Sequence, residues 1–219
     1  MVKIEIQLFV EGGVLPNENL AVETMNNSNK LRESLHHLLS QLITPNKFDL
    51  IILPRSSNNQ TVKDFKADLE KDSNSLLLID LDVPKSEKKV RITELNLVEC
   101  AEKVFFMVQE METWVLSQPD IMEQFAKQKD YKRKNTDKII AENTLLKGKN
   151  IEEISKPSNT LNTLFGQYFE VYEKRRDKHK PATYGKLKDA PDLLKLLNFS
   201  KLLNDFEDVR LLKMKIENL

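Results

Sequence analysis

The sequence predicts an α/β fold: a mostly parallel sheet flanked by helices, with a helical C-terminal part. Strand-like and helix-like patterns alternate through the N-terminal half in the order β-α-β-α-β, which calls for parallel strands joined by right-handed crossovers. Residues 48–53 and 75–79 are short continuous apolar runs, the pattern of strands buried on both faces. Beyond Ala126 no segment reads as a strand, and amphipathic stretches are separated by basic loops. The expected division is an α/β domain over residues 1–126 and a helical region over residues 127–219 packed on it.

Residues 3–10 are dense in apolar, partly alternating positions and form the first predicted strand, stopped by Gly12-Gly13. Residues 14–27, with Pro16 and several asparagines, read as a long loop. Ser28 or Asn29 can cap a helix to about Ile43, with Leu31, Leu35, Leu38, Leu39 and Leu42 on one face and Thr44-Pro45 at its end. After the second strand comes a polar loop over residues 54–59. A helix from about Thr61 to Glu70 then turns Val62, Phe65 and Leu69 inward. Residues 75–79 are the third strand, residues 83–91 a charged loop, residues 94–102 a short helix and residues 104–108 a fourth strand. Residues 110–116 should be helical, and Pro119 suits the first turn of a helix carrying Ile121, Met122 and Phe125. Further on, Ser158 can cap a helix with Leu161, Leu164, Phe165, Tyr168 and Val171 inward. Pro191-Asp192 can open another, and Asn204 or Asp205 can cap the last.

Forty per cent apolar content over 219 residues suffices for a real core. Thirty-four basic residues balance 34 acidic ones, which excludes a global basic field; yet residues 127–134 and 174–188 are locally basic, as contact with a phosphate backbone requires. No stretch approaches the roughly 20 apolar residues of a membrane span, and the N-terminus lacks the layout of a signal peptide. A cytoplasmic protein without membrane contact is therefore expected. Cys100 is the single cysteine, so no internal disulfide or cysteine zinc site is possible, and its apolar setting suits an inert thiol. His36 and His37 lie on a leucine-rich helix without a ligand pattern and read as surface or packing residues. Neither Gly12-Gly13 nor Leu146-Lys147-Gly148-Lys149 has the sequel of a nucleotide-binding phosphate loop.

The chemistry lies in the acids that end the strands. Glu11 closes the first and Asp80 and Asp82 the third, at the carboxyl edge where open parallel sheets gather ligands. On an extended chain side chains alternate, so both aspartates should face one side and Leu81 the other. Magnesium takes oxygen ligands and keeps several waters, so two or three carboxylates plus a substrate phosphate make its usual site. Such a site activates water and neutralises the charge of a phosphodiester transition state. Glu11, Asp80 and Asp82 are thus candidate ligands for Mg2+ or Mn2+. Glu112, about one helical turn after the fourth strand, is the candidate fourth catalytic acid, and Gln109 can orient substrate or a ligating carboxylate.

Arg55, Ser56 and Asn58 follow the second strand on the same edge. There an arginine can fork onto phosphate, and the next helix offers free N–H groups. Lys156, Tyr184, Lys186 and Lys188, with His179, suit nucleic-acid contact if the C-terminal helices fold over that edge. Taken singly, each residue has a plainer account, as a strand-end acid, a helix-end acid held by the macrodipole, or a solvated loop.

Strand–Glu11–Gly12 followed by strand–Asp80-x-Asp82 resembles the TOPRIM domain of topoisomerases, primases, recombination proteins and OLD-family nucleases. In that Rossmann-like fold the glutamate and the aspartate pair come from neighbouring strands and bind magnesium. The chain is more closely similar to a family of small bacterial TOPRIM-like proteins encoded near ATPases in defence or restriction-modification loci. Phe9-Val10-Glu11-Gly12-Gly13, Ser28-Asn29-Lys30-Leu31-Arg32, residues 54–58, residues 77–82 and residues 107–114 carry this likeness, with residues 151–157 and 184–194 near the end. The resemblance implies a magnesium-dependent nuclease of DNA or RNA, an anti-phage effector working with an ATPase partner, with homo-oligomerisation also open.

Three features depart from the family. The loop after Gly13 is longer, Asp189 stands where a histidine precedes Ala-Pro, and Pro84 takes the place of a third acid two residues after Asp82. Two rival readings stay open. One is a non-catalytic TOPRIM-fold interaction subunit of an ATPase complex; the other is a small-molecule α/β enzyme, such as a phosphatase or nucleotidyl transferase, with a closed pocket. Nothing sets one of Tyr131, Tyr168, Tyr172 and Tyr184 apart as a topoisomerase nucleophile.

Overall fold

The apolar runs of the N-terminal half pair into one four-stranded, all-parallel sheet. The computed structural model describes residues 3–12, 22–44, 46–55, 57–71, 74–134 and 136–219. Its elements begin β1 (Ile4–Glu11), α1 (Val22–Leu39), β2 (Phe48–Arg55), α2 (Asn58–Leu69), β3 (Ser75–Asp80), α3 (Lys88–Glu94), β4 (Val104–Met107), α4 (Glu112–Leu116) and α5 (Asp120–Gln128). The strand order is β2-β1-β3-β4, with Glu11 opposite Arg55, Val10 opposite Leu78 and Asp80 opposite Met107. The α/β architecture, with helices on both faces, is consistent with a Rossmann-like fold.

Because side chains alternate, each strand feeds two cores. Ile6, Leu8, Val10, Leu76, Leu78, Phe105 and Met107 join α1 and the C-terminal helices in the larger one. Phe9, Leu77, Ile79, Val104 and Phe106 join Val62 and Phe65 of α2 and Ile92 of α3 in the smaller. The chain therefore leaves β1 towards one face and its neighbour β3 towards the other. That divergence makes a topological switch point between the carboxyl ends of β1 and β3, the place where open α/β sheets have their crevice.

The remaining elements are β5 (Lys132–Arg133), α6 (Pro157–Tyr168), β6 (Phe169–Glu173), β7 (Lys178–Pro181), α7 (Lys186–Leu194), α8 (Phe199–Asp205) and α9 (Glu207–Glu217). Strands β5, β6 and β7 form a separate antiparallel sheet, which corrects the expectation of a strand-free C-terminal region. Phe169-Glu170-Val171-Tyr172-Glu173 does alternate. Its partners are short and highly charged, and an apolar period cannot reveal them. The larger core runs from Ile6 to Ile216, so the two predicted regions share it.

Some boundaries also move. Helix α1 starts at Val22, inside the predicted loop, and runs through Ser28; residues 13–21 lie outside the described residues. It packs against α7, and tertiary packing outweighs a local cap signal. Helix α3 begins within the stretch read as a charged loop, and the helix expected over residues 94–102 is a 3-10 segment, Val98–Lys103. Helix α7 starts before Pro191, which lies inside it. At the far edge of the sheet, Asp208 of α9 is buried, accepts the Phe106 N–H of β4 at 3.2 Å and pairs with Lys88 at 2.5 Å. That contact uses an edge amide that could otherwise template another strand. Among the described residues no helix is long and apolar enough to cross a membrane.

Candidate functional site

Strands β1 and β3 bring Glu11 and Asp80 side by side at the switch point, where Glu11 Oε2 accepts the Asp80 backbone N–H at 3.2 Å. Asp80 is only 6% exposed; its Oδ1 accepts the Met111 N–H at 3.0 Å and its Oδ2 lies 3.4 Å from the Lys186 ammonium. The extended chain ends there. Asp82 adopts left-handed backbone (φ 59°), as does Gln109 (φ 63°), and the Gln109 carbonyl accepts the Asp82 N–H at 2.9 Å. The expectation that Asp80 and Asp82 share one side of an extended strand is therefore corrected. Asp82 Oδ2 instead accepts from Asn58 Nδ2 at 2.8 Å and lies 3.8 Å from Arg91. Leu81 is fully buried in the smaller core.

Glu112 opens α4 and is completely buried. Its Oε1 accepts the Tyr184 hydroxyl at 2.7 Å, while Oε2 accepts no hydrogen bond from the described residues and lies 3.6 Å from Lys186 Nζ. Tyr184 arrives from the segment that joins β7 to α7 and Lys186 from the first residue of α7, so the C-terminal region does reach over the sheet edge. Asp189 fastens the start of α7, its Oδ2 accepting the Gly185 N–H at 2.8 Å. Asn162 Oδ1 accepts the Tyr184 N–H at 2.9 Å, and the Tyr184 ring stacks on Phe165.

Burial pushes the Asp80 carboxyl well above the usual carboxylate range. Lys186 opposes the shift, and Glu11, Glu112 and Asp82 reinforce it. Burial and then Asp82 raise Glu11 in the same direction. For Lys186 burial acts downward, but Asp80 and Glu112 outweigh it and hold the ammonium protonated above its ordinary range. Burial and then Glu112 push the Tyr184 hydroxyl far up, which keeps it a hydrogen-bond donor and makes it a poor nucleophile. Since folding raises Asp80 and Glu11, it favours their protonated forms. Their contribution to stability is full below the ordinary carboxylate value, about pH 4, and is lost as pH rises through the raised values. In melts from about pH 4 upward, the wild-type melting temperature should therefore fall relative to that of Asp80→Asn. Parallel pH profiles would refute this account.

The other expected contacts divide. Asn58 Nδ2 also donates to the Asp80 carbonyl at 3.3 Å, so this residue ties the acidic strand end together. The Arg55 guanidinium is committed to Asp64 and the Pro54 carbonyl, and lies over the Phe9 ring. Gln109 is buried and contributes its backbone. Lys156, left-handed at the start of α6, and Lys188 are exposed, as are His36, His37 and His179. Ser56 lies outside the described residues. The sequence pattern does not reveal Arg91 or the Met111 N–H: Arg91 lies in a run whose charge predicts a loop, and a backbone donor has no side-chain signal.

Among the described residues no trio of His, Cys, Asp or Glu side chains is arranged ready-made to hold a metal ion. In kind the donors fit one: they are carboxylate oxygens, and the buried Glu112 Oε2 is an acceptor with no hydrogen bond to satisfy it. Comparison of the chain with family models, with curated proteins and with solved structures finds no match.

Proposed function

We propose that the protein is a divalent-metal-dependent phosphodiesterase of TOPRIM type that hydrolyses DNA or RNA, acting in the cytoplasm as an anti-phage effector with an ATPase partner. The observation that supports the chemistry is the charge around Asp80. A buried carboxylate at the switch point is crowded by Glu11, Asp82 and Glu112, and among the described residues its ion-pair partner is Lys186 alone. Such an excess of oxygen-borne negative charge suits a hard divalent cation. Glu11, Asp80 and Asp82 would hold Mg2+ or Mn2+, which when bound supplies water activation and charge neutralisation on the phosphodiester. Glu112, oriented by the Tyr184 hydroxyl, offers Oε2 to accept a proton. Lys186, with the exposed Lys156 and Lys188, supplies positive charge for phosphate. The TOPRIM assignment rests on the sequence likeness around Glu11-Gly12 and Asp80-x-Asp82, and the defence role and ATPase partner on the closer likeness carried by residues 9–13, 28–32, 54–58, 77–82, 107–114, 151–157 and 184–194.

The test is cleavage of DNA, RNA and tRNA with Mg2+ or Mn2+ by the wild type beside Glu11→Gln and Asp80→Asn. Metal-dependent cleavage that both substitutions abolish is expected; cleavage that survives both sinks the site. One observation favours a second reading, a non-catalytic interaction subunit. Lys186 already lies against both Asp80 and Glu112, and this resident cation takes up part of the charge that a metal would otherwise balance. Absence of Mn2+ binding by both the wild type and Lys186→Met would select it.

A further inference from the structure

The acids at the switch point already face a cation belonging to the chain itself. The Lys186 ammonium lies 3.4 Å from Asp80 Oδ2 and 3.6 Å from Glu112 Oε2, so one positive charge spans carboxylates delivered by β3 and α4. The two sides of this contact differ in their freedom. Glu112 is fully buried, its Oε1 is held by Tyr184, and its Oε2 lies against this ammonium with no hydrogen bond from the described residues. The Lys186 side chain is 49% exposed and stands at the first residue of α7. A four-carbon stem placed there can carry its ammonium to solvent without moving the helix. Tyr184 and Asp189 keep the segment itself in place through bonds that do not involve Lys186.

Taking Glu11, Asp80 and Asp82 to bind a divalent cation, as proposed above, we propose that Lys186 is a built-in counter-ion: it pairs with Asp80 and Glu112 in the metal-free protein and is displaced from Asp80 when the metal enters. The displaced ammonium remains tethered at the sheet edge, where a substrate phosphate can take it up. Metal and ammonium compete for Asp80, whereas phosphate draws the ammonium away. Metal and a phosphate-bearing ligand therefore bind with positive coupling, each easing entry of the other. This sets Lys186 apart from the exposed Lys156 and Lys188, which can attract phosphate but, among the described residues, form no ion pair with Glu11, Asp80, Asp82 or Glu112.

The experiment is calorimetric titration with Mn2+, joined to thermal melts with and without Mn2+, on the wild type, Lys186→Met and Lys186→Arg. Removing a unit charge this close to the ligands should tighten Mn2+ binding by Lys186→Met about tenfold or more. The same variant should melt below the wild type without metal and gain more from added Mn2+. Lys186→Arg, which keeps the charge, should stay near the wild type. Binding by the wild type with equal or weaker binding by Lys186→Met overturns the counter-ion role and leaves the metal site standing. Binding by neither overturns both. If Lys186→Met lacks a cooperative melt, Lys186→Gln is held to the same criterion.

Discussion

Asp80→Asn should lower metal-dependent phosphodiester cleavage by about 100-fold or more while leaving the fold intact. Asparagine keeps an oxygen for the Met111 N–H and nearly the same volume, so the local packing survives. What disappears is a charge that burial, Glu11, Glu112 and Asp82 all oppose. At neutral pH the variant should therefore melt at or above the wild-type temperature, the usual divergence of stability and activity at a functional site. Calorimetry and a cleavage assay on one preparation decide the matter. Lost activity together with a lowered melting temperature would mean that Asp80 acts through folding, and the charge-based account would be wrong.

Trp114→Ala should have the largest effect on stability, about 3–5 kcal/mol. Trp114 is fully buried in the larger core and packs against Phe206 at 6.4 Å between ring centroids, joining α4 to the C-terminal helices. Domains of this kind have net stabilities of about 5–15 kcal/mol, so one truncation removes a large share of the total. Trp114 also stands two residues after Glu112 on α4, and loosening it should weaken the Glu112–Tyr184 bond. Trp114→Phe, which keeps most of the volume, should restore the larger part of both losses. Urea unfolding followed by circular dichroism is the measurement, because this is the chain's single tryptophan. An unchanged midpoint for Trp114→Ala would refute the packing account.

The parallel sheet is legible in the sequence because its strands are buried on both faces and leave unbroken apolar runs. The acids that end β1 and β3 are legible for the opposite reason, since charge directly after such a run is conspicuous. What the residues conceal is mostly contact at long range. Nothing near Lys186 announces that it will meet Asp80, 106 residues earlier, nor Asp208 that it will accept the Phe106 N–H, 102 residues earlier. The β6–β7 hairpin is concealed by its charge, because lysines and a histidine on an exposed strand carry no apolar period. The left-handed turn at Asp82 is concealed by its neighbours. Leu81 is buried whether or not the chain stays extended, so the apolar pattern cannot report where β3 stops.

The paired left-handed residues Asp82 and Gln109 set thermal selection against chemistry. A residue with a Cβ pays about 1–2 kcal/mol in that region, and glycine almost none. A library of random variants sorted for heat resistance alone should therefore enrich glycine at both positions, and sequencing the survivors would show it. At Gln109 the backbone contact would persist, but at Asp82 the gain would shed an acid from the sheet edge. Improvement by that route amounts to forgetting the site, and any programme to toughen this protein should hold Asp82 fixed.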